Sequence, residues 1–142
     1  MDIRYSCNQK DFKRYTTEET RKEFLIETLF TADEVNAVYS HVDRMVTLGI
    51  MPVTKAVSID QGIDIWKNFG TDYFLERREC GMFNVGGAGT VTVDGKVYEL
   101  GYKDCLYITV NTPAPDDYDY EDMMNTFGEG ADYRHPDFLP VN

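Results

Sequence analysis

The groups in this chain that could move protons are two histidines and a handful of carboxylates set among β-type residues. His41 lies in Tyr39-Ser40-His41-Val42-Asp43-Arg44, where strand geometry would place Tyr39, His41 and Asp43 on one face. A carboxylate beside an imidazole can orient it and raise its pKa, as a general base requires. A histidine hydrogen-bonded inside a β core is the more ordinary reading, because structural networks also perturb titratable groups. Glu76-Arg77-Arg78-Glu79 is the second candidate; such charge runs are usually a rim or an interface, where ion pairs add little stability. His41, Asp43, Glu76 and Glu79 are thus weak catalytic candidates, and His135, beside Pro136, offers less.

A metal site needs three or four ligands converging at about 2.0–2.2 Å. His41 and His135 lie far apart, and Cys7, Cys80 and Cys105 never form a C-x-x-C pair, so no metal and no cofactor is expected on this chain. Asp117-x-Asp119-x-Glu121 resembles the start of a calcium loop but lacks its glycine and distant glutamate; a solvated acidic run is the better reading. Gly86-Gly87-Ala88-Gly89 would cradle phosphate only with a helix N-terminus behind it. A strand and a hairpin follow instead, so a strand-to-strand turn is expected.

The elements that must position these groups are short. Thr16 with Glu19 three residues on forms a capping-box pattern, predicting a helix over 17–24 after a polar arm, with Leu25–Phe30 continuing as a strand. Val35–Val42, Met45–Ile50, Val53–Ile59, Tyr73–Glu79 and Asp104–Val110 read as further strands. Gln61–Asp64 reads as a turn or one helical turn. The clearest local signal is Thr90–Val93 and Lys96–Leu100 around Asp94-Gly95, the signature of a type I′ hairpin. Short strands with glycine turns and no βαβ alternation point to an antiparallel sandwich or barrel.

The net charge of −11 is uneven: residues 109–142 hold eight acids against Arg134 alone. A division into a β domain over 1–110 and an acidic, irregular tail over 111–142 follows, the tail docked by Tyr118, Tyr120, Met123, Phe127 and Phe138. The last strand, Asp104–Val110, would then present an edge needing cover from the tail or another chain. A negative field repels phosphate backbones, so neither nucleic acid nor an anionic membrane is an expected partner. No stretch reaches the ~18 consecutive apolar residues of a membrane span. Scattered cysteines suit a reducing compartment, so a cytoplasmic location is expected.

Cupin barrels carry an H-x-H, then a glutamate and, further on, a glycine; Glu79 and Gly86 fit that frame, with Tyr73-Phe74-Leu75 where the imidazoles should be. Longer motifs go further. Arg21–Leu25, Val38–Arg44, Gly49-Ile50-Met51-Pro52-Val53-Thr54-Lys55, Tyr73–Glu79 and Asn84–Gly95 closely resemble the N-terminal half of the 5-keto-4-deoxyuronate isomerases, also called 4-deoxy-L-threo-5-hexosulose-uronate ketol-isomerases. The likeness runs from Met1 to about Ile108. It implies a cupin-like antiparallel β-barrel of jelly-roll type, left incomplete here, from a two-barrel enzyme of pectin and uronate breakdown that usually assembles as a hexamer.

The resemblance implies an enediol proton shuttle on a sugar acid, assisted by zinc held by three histidines and a glutamate of the second barrel. None of those ligands maps onto a residue here. Two readings stay open: a ketol-isomerase part that is inactive alone and needs a second, metal-bearing barrel, or a degenerate cupin that self-associates or binds a sugar acid without turning it over.

Overall fold

The computed structural model describes residues 1–110 and the backbone of 137–140. In chain order the elements are β1 (Asp2–Arg4), α1 (Gln9–Phe12), α2 (Thr17–Phe24), β2 (Val35–Ser40), β3 (Met45–Ile50), β4 (Val57–Ser58) and α3 (Ile65–Phe69). They continue with β5 (Cys80–Phe83), β6 (Gly89–Val93), β7 (Lys96–Leu100), β8 (Cys105–Ile108) and β9 (Asp137–Pro140). The fold is mainly β. Among the described residues the strands form sheets ordered β1-β2-β3, β4-β9-β6-β7 and β5-β8, and their hydrogen bonding does not close a barrel.

One core joins the sheets. Ile59, Ile65, Phe74, Leu75, Val91, Val93 and Ile108 are its buried centre, with Val46, Leu48, Ile50, Cys80, Met82, Tyr98, Leu100 and Leu106 packed against it. These positions alternate along β3, β5, β7 and β8, so each strand turns one face inward and leaves the other to solvent. In β2 the consecutive Ala37 and Val38 are both buried, so both faces of this central strand are covered at that point.

Local chemistry accounts for the best-formed pieces. Thr16 Oγ1 accepts from the Glu19 N–H at 3.2 Å while the Glu19 carboxylate accepts from the Thr16 N–H at 2.7 Å, the expected capping box at the start of α2. Asp94 (φ 47°) and Gly95 (φ 81°) both adopt the left-handed conformation a type I′ turn demands, joining β6 to β7 in the expected register Val93↔Lys96. Asp64 caps α3 by accepting from the Lys67 N–H at 2.9 Å, and Gly70 (φ 65°) ends it.

Four expectations need correction. The N-terminal residues are no free arm: β1 pairs in parallel with β2, and Arg4 Nη1 donates to the Glu23 and Leu25 carbonyls at the end of α2. Leu25–Phe30 is not a strand; it crosses β2 and β3, and the Leu29 carbonyl accepts from Asn36 Nδ2 at 3.1 Å. The strand expected over Val53–Ile59 shrinks to β4, because the Asp33 carboxylate takes the N–H groups of Val53, Thr54 and Lys55 that a ladder would use. Tyr73–Glu79 is a string of turns ahead of β5. Its adjacent Phe74 and Leu75 are both buried, which a half-buried strand does not allow.

The C-terminal segment also departs from expectation. Asp137–Pro140, inside the stretch read as irregular, is β9, hydrogen-bonded between β4 and β6. It does not cover the last strand before it; β8 pairs with β5. The acidic run Asp117–Glu121, His135 and the proposed anchors Tyr118, Tyr120, Met123 and Phe127 lie outside the described residues, as does every other residue of 111–136.

Candidate functional site

His41 stands just past the end of β2, where two strands meet around it. Its N–H donates to the Arg4 carbonyl at 2.8 Å, continuing the parallel register Arg4↔Ser40 by one residue. That register sets Tyr5 opposite His41, and the two rings stack with centroids 4.7 Å apart. Tyr39, two residues back on the same side as expected, meets the imidazole edge-on at 4.8 Å.

Asp43 does not join them. It sits in the turn between β2 and β3, where the Ser40 hydroxyl, and then the Met45 N–H at 3.3 Å, hold its carboxyl below the usual carboxylate range. Residues 41–44 form that turn, with Arg44 at a positive φ of 58°, so the strand alternation that would have lined Asp43 up with His41 has already ended.

The Glu76–Glu79 run resolves into three different environments. Glu76 is tied down locally, accepting from the Asp72 N–H at 2.7 Å and pairing with Arg77 Nε at 3.2 Å. Glu79 accepts from the Tyr107 hydroxyl on β8, and this hydrogen bond raises the Tyr107 pKa above its ordinary value. Arg78 turns the other way. Its guanidinium lies over the Phe69 ring at 4.6 Å and the Tyr39 ring at 5.6 Å, and Phe69 packs edge-on against the buried Phe74 at 5.4 Å. The structure therefore gathers His41, Tyr39, Tyr5, Arg78 and Phe69, and leaves Asp43, Glu76 and Glu79 engaged elsewhere. Sequence reasoning missed Arg78, Tyr5 and Phe69, since nothing in the local pattern says that four separate segments meet through these rings.

The glycine loop behaves as a turn. Asn84 Nδ2 lies 2.8–3.0 Å from the carbonyls of Gly87, Leu100 and Gly101, and its Oδ1 accepts from the Gly86 N–H at 3.0 Å. One amide thus pins the loop to the end of β7. Among the described residues no three His, Cys, Asp or Glu side chains gather where one ion could be held. Among the same residues no helix is long and apolar enough to cross a membrane.

Curated proteins resemble the chain over 108 residues, 76% of its length. Those of Escherichia coli O45:K1 (strain S88 / ExPEC) and Escherichia coli (strain UTI89 / UPEC) are 53% identical, and that of Escherichia coli O9:H4 (strain HS) is 52% identical. Each is a 4-deoxy-L-threo-5-hexosulose-uronate ketol-isomerase. Over those 108 residues this chain is similar to the uronate ketol-isomerases. The match covers 38% of each ketol-isomerase, consistent with an N-terminal half, so the chain spans well under two thirds of the relatives it matches. No protein-family model matches the chain.

Proposed function

We propose that this chain supplies the first, cupin-like part of a uronate ketol-isomerase and works with a second, metal-bearing barrel carried on other residues or another polypeptide. The observation that carries this reading is the 53% identity over 108 residues to the ketol-isomerases. A ketol isomerisation moves a carbonyl to the neighbouring carbon: a base removes the proton beside the carbonyl, an enediol forms, and the proton returns at the next carbon. The reaction needs a base within hydrogen-bond reach and donors for the developing oxyanion. Zinc, by family resemblance, would stabilise those oxygens when bound in the second barrel. The described residues of this chain offer it no ligand set, and no proton transfer is assigned to them.

The part played by this chain is then architectural and recognitive: a packed β body, suited to self-association, against which the metal-bearing part is held. A second reading is a module that binds a sugar acid or oligomerises without catalysis. It is favoured by the dispersal of the four acid–base candidates, since Asp43, Glu76 and Glu79 are each engaged away from His41.

Isomerisation of 5-keto-4-deoxyuronate by the purified chain, alone and mixed with the unmatched remainder of an Escherichia coli relative, separates the two. Turnover only in the mixture supports the first reading. Turnover by the chain alone would sink the claim that it needs a second barrel. Neither turnover nor association with the remainder favours the binding module.

A further inference from the structure

Arg78 is a half-buried cation whose N–H groups have no partner among the described residues. Guanidinium presents five donors in a planar fork that matches a carboxylate two bonds at a time. Its nearest carboxylates in sequence are spent: Glu76 on Asp72 and Arg77, Glu79 on the Tyr107 hydroxyl. The rings of Phe69 and Tyr39 hold the cation at 4.6 and 5.6 Å, and neither ring face offers an oxygen lone pair. Such a group is fixed in place, partly stripped of water and chemically unfinished. The same Tyr39 ring also meets the exposed imidazole of His41, which stacks on Tyr5. His41 adds a ring donor or acceptor, and four separate segments of chain supply these groups.

We propose that Arg78, seated on Phe69 and on the Tyr39 ring that also meets His41, is a carboxylate-binding site for a sugar acid of the hexuronate class. The carboxylate pairs with the guanidinium fork, and the sugar hydroxyls face His41 and the Tyr39 hydroxyl. The choice of a sugar acid over other carboxylates rests on the ketol-isomerase reading; the carboxylate itself rests on Arg78. The site recognises and concentrates; it contributes no acid or base to a reaction. With a net charge of −11 on the chain, the surrounding field opposes an anion, so binding is selective but weak.

The test is a titration of the full chain with D-galacturonate, with D-galactose and acetate as controls, followed by nuclear magnetic resonance of the arginine Nε–H and aromatic ring signals. Galacturonate should move the Arg78, Tyr39 and His41 signals along a saturating curve, acetate should move Arg78 alone and more weakly, and galactose should move none. Arg78→Gln should weaken galacturonate binding about tenfold, and Arg78→Lys, which keeps a cation over the rings but loses the fork, about threefold. If Arg78→Gln fails to fold, the lysine variant decides. Unchanged affinity in the variant that folds, shifts confined to other residues, or displacement of galacturonate by an acidic peptide at far lower concentration would each overturn the proposal. The titration uses the chain without its catalytic partner, so a failure here leaves the ketol-isomerase reading standing, and a failed mixing assay leaves this site standing.

Discussion

The backbone of Leu29 passes directly over the α-carbon of Gly49. A β-carbon on Gly49 would lie 2.6 Å from the Leu29 carbonyl carbon and 2.8 Å from its Cγ, closer than real atoms pack. Asn36, the cross-strand partner of Gly49, donates to the same Leu29 carbonyl at 3.1 Å and to Thr31 Oγ1 at 2.8 Å. The β2–β3 hairpin thus presents a bare glycine and an amide where the Leu29–Thr31 segment crosses it.

Gly49→Ala forces that crossing segment off the sheet, because the obstacle is main chain and cannot swing aside. A loss of about 3 kcal/mol is expected, at the upper end for overpacking. Urea denaturation of the variant measures it. A midpoint equal to that of the unaltered chain would mean the crossing lies elsewhere.

Asp33 makes stability sensitive to acid. Its carboxylate accepts from the Thr54 hydroxyl at 2.6 Å and from the N–H groups of Thr54, Val53 and Lys55 at 2.8, 2.7 and 3.4 Å, which together hold its pKa well below the ordinary 3.8. A carboxyl with a lowered folded pKa contributes stability above its unfolded value, and that contribution fades as pH falls from about 4 toward the folded value. Asp33 also sits at φ 60°, which asparagine tolerates. Asp33→Asn should therefore melt below the unaltered chain at neutral pH, with the gap narrowing steadily as the pH is lowered through 3.8. A gap independent of pH in thermal melts would show that the charge is not what holds the 53–55 loop.

Gly95 (φ 81°) closes the β6–β7 turn with nothing within reach of an added β-carbon, so a substitution there tests backbone conformation alone. Gly95→Val should lower stability by about 1–2 kcal/mol through left-handed strain. Gly95→Asn should recover most of it, since asparagine accepts that conformation more readily. Chemical denaturation of the two variants checks the order; equal midpoints would contradict a type I′ turn.

The parts of this fold that were legible in the sequence are those fixed by neighbours in the chain. Thr16 and Glu19 are three residues apart, and Asp94-Gly95 needs only its own two dihedral angles. What could not be read depended on distant partners. Phe74-Leu75 has strand-like composition, yet core contacts on both residues at once impose a turn. Val53–Lys55 looks extended until Asp33, twenty residues earlier, takes its donors. At the candidate site the imidazole of His41 was visible as a residue type, and so was its shared side with Tyr39. Arg78 was hidden inside a run of four charges, because only tertiary contacts show that its neighbours are engaged and it is not.

β9 makes the last case of distant pairing, and it carries the last prediction. Its backbone bridges β4 through Val57↔Phe138 and β6 from Gly89↔Pro140 to Thr92↔Asp137, so residues 137–140 join two strands that do not otherwise pair. Removing residues 137–142 would free one edge of β6 along four residues and leave the two residues of β4 with no sheet at all. Val57 and Ile59 are fully buried, as is Val93 at the end of β6, so the loosened edge lies directly over the core. Unpaired strand edges recruit other chains when nothing blunts them. The shortened protein should therefore unfold at lower denaturant concentration and scatter light at concentrations where the full chain does not. Hydrogen exchange locates the cause: the amides of Gly89–Thr92 should lose protection first, while the β2–β3 hairpin keeps its own. A shortened chain that stays monodisperse with those amides still protected would mean that β6 is held by something other than β9.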